Sequence, residues 1–201
     1  MANVETLNIK MSTGSADTDL NLTNFDMDTT GQTNSVVVTG ALALDIVALS
    51  GDTTSINASA MTAGGVDIAA RTVATTALTF VGSAAGAESV IMLNVADALD
   101  GGEKTAVADS LDLNYGAVLG GISVDLTKAD QVVSMDGVAN SAVQTGFENV
   151  DLAGYTGFGS LIVGNNEANT IVGTGSIDNI STGAGVDNIT SGAGADTVTG
   201  G

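Results

Sequence analysis

The sequence predicts an all-β protein, a right-handed parallel β-solenoid (β-helix) that ends in a β-roll. Three observations support this prediction. Short apolar runs of strand length recur along the chain, and Gly, Asn, Asp, Ser and Thr separate them. No segment keeps a helical period over eleven or more residues, and residues 41–49 (ALALDIVAL), which come nearest, have no cap. The last forty or so residues repeat with a period of nine.

Two upstream features favour a solenoid over a sandwich or a barrel. Residues 4–9 (VETLNI) are echoed by residues 147–152 (FENVDL), with Glu second and apolar residues fourth and sixth. Residues 82–90 (GSAAGAESV) form a degenerate copy of the tail repeat, with Glu88 at its acidic position. Such repeats indicate stacked coils, each contacting its neighbours. We therefore divide the chain into an irregular solenoid at residues 1–153 and a roll of nonapeptide repeats at residues 154–201.

Composition limits the partners of the chain. Its 201 residues include 23 acidic and 4 basic side chains, which gives a net charge of −19. Such a charge repels nucleic acid and anionic membrane surfaces, so we expect neither as a partner. No apolar run is long enough for direct membrane insertion, and no signal peptide is visible, so export would need a signal elsewhere. A divalent cation that neutralises the carboxylates is the partner we expect instead.

From Gly164 onward the sequence divides into four units of nine residues, followed by Gly200-Gly201. Because the chain stops inside the next unit, we expect it to be a fragment of a longer protein. The sixth position of each unit is Asn or Asp, and the eighth position is Ile or Val. The sixth positions are Asn169, Asp178, Asp187 and Asp196, and the eighth positions are Ile171, Ile180, Ile189 and Val198.

Each part of the unit has a physical role. The Gly-rich half turns tightly, since Gly accepts a positive φ and lets backbone carbonyls approach an ion. The Asp supplies a hard carboxylate oxygen, the ligand type that Ca²⁺ prefers. The last three residues form a short strand whose central apolar side chain points inward. The units therefore predict calcium-binding turns, and their candidate glycines are Gly183, Gly185, Gly192 and Gly194.

The units resemble the RTX (repeats-in-toxin) β-roll, whose motif is G-G-x-G-x-D-x-U-x. The resemblance implies Ca²⁺ as the cofactor, with each ion held between two turns on the same side, two units apart. It pairs Asp178 with Asp196 at one site, and Asp187 with the neutral and weaker ligand Asn169 at another. It also implies carbonyl ligands in the neighbourhoods of Thr182, Ala184, Ser191 and Ala193.

The unit that begins at Gly173 departs from the motif. Thr174 and Ser176 stand where the motif has Gly, which bears on the geometry of this turn and on the occupancy of the Asp178 site. A ladder of Gly-Asp turns that binds nothing is the alternative, since both residue types favour turns. Four turns in strict register favour calcium binding.

Upstream segments resemble the β-solenoid region of bacterial S-layer proteins exported by type I secretion. They are residues 4–9, 54–62 (TSINASAMT) and 78–90 (LTFVGSAAGAESV). Residues 109–115 (DSLDLNY) and 121–126 (GISVDL) also resemble segments that flank the rolls of RTX proteases and lipases. The resemblance implies a structural protein, secreted or at the bacterial cell surface, that self-associates or contacts neighbouring surface-layer subunits. An accessory folding and secretion module of an RTX enzyme or toxin, and an adhesin stalk, are the alternatives.

The chain has no His and no Cys, which excludes the Ser-His-Asp triad, a Cys nucleophile, and imidazole or thiolate metal sites. We therefore expect no enzymatic activity. Acidic pairs such as Asp109 with Asp112 could in principle serve glycoside hydrolysis, but an aromatic sugar platform is missing. Residues 17–28 begin like an EF-hand loop, yet they have Leu22 where Gly is required. The Thr-x-Thr triplet at residues 197–199 suggests an ice-binding face, but neighbouring strands do not repeat it.

Overall fold

The structure is a computed structural model that describes residues 6–12, 19–23, 25, 34–72, 76–102, 107–113 and 120–201. Every regular element in these ranges is a β-strand, and no membrane-spanning helix occurs among them. In chain order the strands are β1 (Thr6–Met11), β2 (Asp19–Leu22), β3 (Asn34–Gly40), β4 (Ala43–Ile46), β5 (Thr53–Met61), β6 (Val66–Ile68), β7 (Thr79–Val81), β8 (Ser89–Ile91), β9 (Ala98–Asp100), β10 (Ser110–Asp112), β11 (Ile122–Asp125), β12 (Val132–Met135), β13 (Val138–Ala139), β14 (Gln144–Thr145), β15 (Asn149–Asp151), β16 (Ser160–Val163), β17 (Thr170–Val172), β18 (Asn179–Ser181), β19 (Asn188–Thr190) and β20 (Thr197–Thr199).

The strands form three stacked sheets. The first sheet has the order β1-β3-β5-β7-β9-β14, the second β2-β4-β6-β8-β10-β15-β17-β19, and the third β13-β12-β11-β16-β18-β20. Pairing is parallel throughout, except where β12 pairs with β11 and with β13. Apart from β11, β12 and β13, consecutive strands lie in different sheets, so each pairs with a strand from a neighbouring coil of the chain. This stacking is consistent with a β-solenoid, and the prediction of an all-β fold is confirmed.

The register stacks apolar side chains into rows that fill the interior. In the roll the repeat is 18 residues, because Leu161 pairs with Asn179 and Asn179 with Thr197. Burying one such aliphatic side chain contributes about 1.5–3 kcal/mol. The longest rows are Val36, Ile56, Phe80 and Leu99 in the first sheet, Val90, Leu111, Val150, Ile171 and Ile189 in the second, and Val124, Ile162, Ile180 and Val198 in the third.

A hairpin of β12 and β13 forms the edge of the third sheet and precedes β14, the last strand of the first sheet. The two-residue turn between β12 and β13 has φ of 57° at Asp136 and 72° at Gly137, as a type I′ turn requires. Beside the hairpin, Gln131 bonds both backbone groups of Phe147: its Nε2 donates to the carbonyl at 2.7 Å, and its Oε1 accepts from the amide at 3.1 Å. Residues 132–135 (VVSM) are one of the short apolar runs that predict strands, but the sequence analysis missed the hairpin, although Asp-Gly is its usual signal.

Two other sequence patterns have a clear outcome. Residues 41–49, the nearest approach to a helical period, contain strand β4 and an isolated bridge at Leu49. Most of the EF-hand candidate at residues 17–28 lies outside the described residues, and its described part contains strand β2. The alternating pattern of residues 19–22 therefore indicated a strand correctly.

Candidate metal-binding turns

An acidic side chain stands at the start of most short strands and joins each coil to the one before it. The backbone N–H at the matching position of the preceding coil donates to this side chain. Such bonds satisfy amides that lie beyond the regular sheet ladder. The pairs are Leu78 N with Asp97 (2.7 Å), Glu88 N with Asp109 (2.8 Å), Asp109 N with Glu148 (2.9 Å), Ser160 N with Asp178 (2.7 Å), Asn169 N with Asp187 (3.0 Å) and Asp178 N with Asp196 (3.0 Å).

The turns at residues 182–187 and 191–196 have the backbone expected of the nonapeptide motif. All four candidate glycines have positive φ: 79° at Gly183, 130° at Gly185, 93° at Gly192 and 137° at Gly194. They also lie against carbonyl oxygens of the preceding coil, since a Cβ at Gly192 would stand 1.9 Å from the oxygen of Thr174. Both constraints require Gly. We call these two segments the open turns.

The carboxylates of the open turns have few protein partners. Asp187 accepts a hydrogen bond from the Asn169 amide and Asp196 from the Asp178 amide, each at 3.0 Å, and both carboxylates are half-buried. The structure therefore brings together the two pairs that the sequence predicted, Asp187 with Asn169 and Asp196 with Asp178. A carboxylate has about four acceptor positions, so most of the capacity of Asp187 and Asp196 is left for a cation or water.

Backbone carbonyl oxygens of neighbouring coils lie close against the turn glycines. The oxygens of Asn165 and Glu167 face Gly183 and Gly185, where a Cβ would stand 2.2 and 2.3 Å from them. The oxygen of Thr182, a predicted ligand, faces Gly164 in the same way at 2.3 Å. Ca²⁺ accepts backbone carbonyls and carboxylates together, in sets of about 6–8 oxygens.

Asn169 differs from the acidic residues at its position. Its side chain donates to the Glu148 carbonyl at 2.7 Å and accepts from the Asn165 amide at 3.0 Å. Both ends of the amide are thus used within the protein. Asn169 is buried, with 2% of its surface exposed. Its structural role is to fasten the first nonapeptide turn to the solenoid.

Asp178 is also buried, and hydroxyl groups surround it. Its carboxylate accepts hydrogen bonds from the amide and hydroxyl of Ser160, both at 2.7 Å, and from the amide and hydroxyl of Thr174, at 2.8 and 2.9 Å. Thr174 itself is 2% exposed. This turn therefore resembles the upstream turn in which the Ser83 amide and hydroxyl donate to Glu88, at 3.1 and 3.0 Å.

Three buried carboxyl groups, those of Glu88, Asp109 and Glu148, follow one another along the second sheet. Burial raises the pKa of Asp109 to about 8, and the adjacent Glu88 adds to the rise. Burial likewise raises the pKa of Glu88, whose carboxyl group contacts that of Asp109. Within the described chain, Glu88 Oε2 is buried without a hydrogen-bond partner. A shared proton is the simplest way to hold the Glu88–Asp109 pair together.

Asp109 and Asp112, considered above as an acidic pair, have different neighbours. Asp109 contacts Glu88, whereas Asp112 lies beside Asp151 in register. Burial raises the pKa of Asp112 to about 6, with further contributions from the negative charges of Asp151 and Asp67. Asp17, Asp26 and Asp28, which form the other acidic pairs close in sequence (Asp17 with Asp19, and Asp26 with Asp28), lie outside the described residues.

Asp97 forms a buried ion pair with Arg71. Arg71 Nη1 lies 2.7 Å from its Oδ2, and the two side chains are 2% and 0% exposed. The same carboxylate accepts the amides of Leu78, Leu93 and Asn94 at 2.7–3.0 Å. Sequence analysis missed this residue, although an acidic residue just before a short strand, as at Glu88 and in the tail, was an available signal.

The described turns offer only oxygen atoms as metal ligands. No three acidic side chains within the described ranges are grouped closely enough to hold a metal by themselves. A calcium site at the open turns would therefore combine a carboxylate with backbone carbonyls. Comparisons with protein-family models, with curated proteins and with solved structures gave no match.

Proposed function

We propose that the chain is a non-enzymatic structural protein of the bacterial cell exterior, a right-handed solenoid ending in a calcium-binding roll. The observation that carries this proposal is the geometry of the open turns, with four glycines at positive φ and two carboxylates that have one amide partner each. Asp187 and Asp196 would supply the carboxylate ligands, and the backbone carbonyls that lie against the turn glycines would supply the remaining oxygen ligands. The resemblance to RTX and S-layer repeats supports the same function and an export route by type I secretion.

The charge of the chain supports a role for calcium in folding. A net charge of −19 opposes compaction, and few basic side chains are present to offset it. An ion that binds the folded turns and not the unfolded chain adds its binding free energy to folding. Low calcium would therefore leave the roll unstable before export, and higher calcium outside the cell would complete it.

We expect calcium to raise the melting temperature of the full chain. At a calcium concentration about 100-fold above the dissociation constant, one site adds about 2.7 kcal/mol, which corresponds to roughly 5–10 °C for a chain of this size. Circular dichroism melts with Ca²⁺, with Mg²⁺ and with a chelator measure the effect. The double variant Asp187→Asn/Asp196→Asn should lose the response to calcium.

A matched control separates calcium binding from general charge reduction. The variant Asp52→Asn/Asp136→Asn removes the same two charges outside the roll, and Asn tolerates the positive φ of 57° at position 136. It should keep the full response to calcium. A wild-type chain that melts at the same temperature with Ca²⁺ and with chelator would contradict the proposal.

We also propose that calcium promotes lateral self-association or contact with neighbouring surface-layer subunits. The support is the exposed acidic turns of the roll, which repel one another until a cation screens them. Ordered sheets or filaments in electron micrographs after addition of Ca²⁺, reversed by chelator, are the expected result. A chain that stays monomeric at millimolar Ca²⁺ in sedimentation would count against assembly, without bearing on the calcium sites.

A further inference from the structure

The turn at residues 173–178 belongs to the nonapeptide series, but amide and hydroxyl groups of the protein donate to its carboxylate. We propose that Ser160, Thr174 and Asp178 form a hydroxyl clasp that takes the place of calcium there. Calcium dependence would then begin only at the open turns. This inference rests on the proposed function for its calcium part and stands independently of it for the metal-free part.

The acceptor capacity of Asp178 is the first step of the argument. Its Oδ1 accepts three hydrogen bonds, from the amide and hydroxyl of Ser160 at 2.7 Å each and from the Thr174 hydroxyl at 2.9 Å, and its Oδ2 accepts one, from the Thr174 amide at 2.8 Å. A carboxylate has about four acceptor positions, two on each oxygen, so Oδ1 is fully used by protein donors and Oδ2 keeps one position. The residue is 1% exposed, and a cation would have to displace buried donors that then lose their partner.

The contrast with the open turns is the second step. Asp196 occupies the same position one coil later and accepts one described hydrogen bond, from the Asp178 amide. Two residues account for the difference: Thr174 of the clasp corresponds to Gly192 of the open turn, and Ser160 corresponds to Asp178. Neither Gly192 nor Asp178 carries a hydroxyl, whereas the Ser160 and Thr174 hydroxyls lie 2.7 and 2.9 Å from the Asp178 carboxylate. Thr174 is the one of the two that lies within the turn itself.

The third step is that the same kind of hydroxyl-to-carboxylate hydrogen bond occurs upstream. Ser83 follows the first glycine of its turn as Thr174 does, and its hydroxyl donates to Glu88 at 3.0 Å. Both acidic residues are 1% exposed. The solenoid therefore closes turns with hydroxyl donors, and residues 173–178 continue this pattern into the roll.

The metal-free test measures melting in the presence of a chelator. Thr174→Val keeps the shape and removes the donor, which should lower the melting temperature by about 3–10 °C because a buried carboxylate loses a partner. Thr174→Ser should restore it to within about 2 °C of the wild type. Thr182→Val is the matched control, since Thr182 is also 2% exposed but its hydroxyl lies 3.5 Å from a carbonyl and contacts no carboxylate. A loss in Thr174→Val no larger than in Thr182→Val would overturn the clasp.

The calcium test counts bound ions by equilibrium dialysis and metal analysis. Asp178→Asn should bind the same number of ions as the wild type, with affinity within about twofold, whereas Asp187→Asn and Asp196→Asn should each lose about tenfold or more. Thr174→Gly, which restores the motif and frees Asp178, should gain one ion. Loss of an ion in Asp178→Asn, or no gain in Thr174→Gly, would overturn the calcium part.

The two proposals can fail separately. A wild-type chain that binds no calcium refutes the proposed function, while the chelator melts still decide whether the clasp exists. Should Asp178→Asn not fold, Thr174→Gly carries the calcium test, because it leaves the carboxylate in place. Circular dichroism of each variant before titration establishes which of them are folded.

Discussion

Replacing Asp97 by Ala is expected to lower the free energy of unfolding by about 3–5 kcal/mol, the cost of breaking a buried ion pair from one side. The substitution leaves the Arg71 guanidinium buried, with 2% of its side chain exposed and the carbonyl of Ile91 as a remaining acceptor at 3.1 Å. It also removes the acceptor of three backbone amides, those of Leu78, Leu93 and Asn94. Asp97 connects two coils and the loop between them, so its loss affects all three.

Urea denaturation measures the change, and two further variants show its origin. Arg71→Met combined with Asp97→Ala should cost less than the sum of the single changes, because the two residues interact directly. Asp125→Ala is the control: its partner Lys128 lies 3.2 Å away but is 55% exposed, so the pair should contribute less than about 1 kcal/mol. Equal losses in Asp97→Ala and Asp125→Ala would show that Asp97 has no special role.

Raising the pH from about 5 to about 9 is expected to destabilise the chain, even in chelator. The pKa of Asp109 is raised to about 8 and that of Asp112 to about 6, and the pKa of Glu88 is also raised, in each case mainly by burial. The folded chain therefore holds protons that the unfolded chain releases near pH 4. Their stabilisation is complete below that pH and is lost as the pH rises through the folded pKa values.

The steepest part of this loss should reach about 1.4 kcal/mol per pH unit for each proton held. Asp125, whose pKa is lowered by Thr127 and Lys128, acts in the opposite direction, but only at pH values below its ordinary pKa. Urea midpoints measured across the range test the prediction. Asp109→Asn should flatten the dependence up to about pH 8, and Asp112→Asn only up to about pH 6, whereas Asp136→Asn should leave it unchanged. A wild-type stability that is constant or rises over this range would disprove it.

The parts of the structure that follow from local periodicity could be predicted from the sequence. The strands of the tail follow from the nine-residue spacing of Ile171, Ile180, Ile189 and Val198, since each of them must point inward from a three-residue strand. The positive φ of the four motif glycines is also predictable, because the strands on either side of each turn fix its length. The adjacency of Asp187 to Asn169 then follows from stacking two units apart.

The parts that depend on distant residues could not be predicted. Strand β14 pairs with β9, although strands β10 and β11 and the β12–β13 hairpin lie between Leu99 and its partner Gln144 in the chain, and no local pattern encodes that distance. The contact between Glu88 and Asp109 likewise joins two coils, and the separation of these residues in the sequence does not encode it. The clasp at Asp178 was visible only as a departure from the motif, because the direction of the Thr174 hydroxyl is a property of the folded turn.

The second sheet pairs strands from one end of the described chain to the other, whereas the first and third sheets each cover part of it. Contacts in such an array are between neighbouring coils, so unfolding spreads from an end by one coil at a time. The hairpin of β12 and β13 is then a natural boundary between two cooperative segments. Before the hairpin most coils contribute strands to the first and second sheets, and after it they contribute strands to the second and third. If the roll binds calcium as proposed, loss of the ion would unfold the chain inward only as far as the first coil that is closed by protein donors. The rest of the solenoid would stay folded while the coils at its end unfold and refold locally.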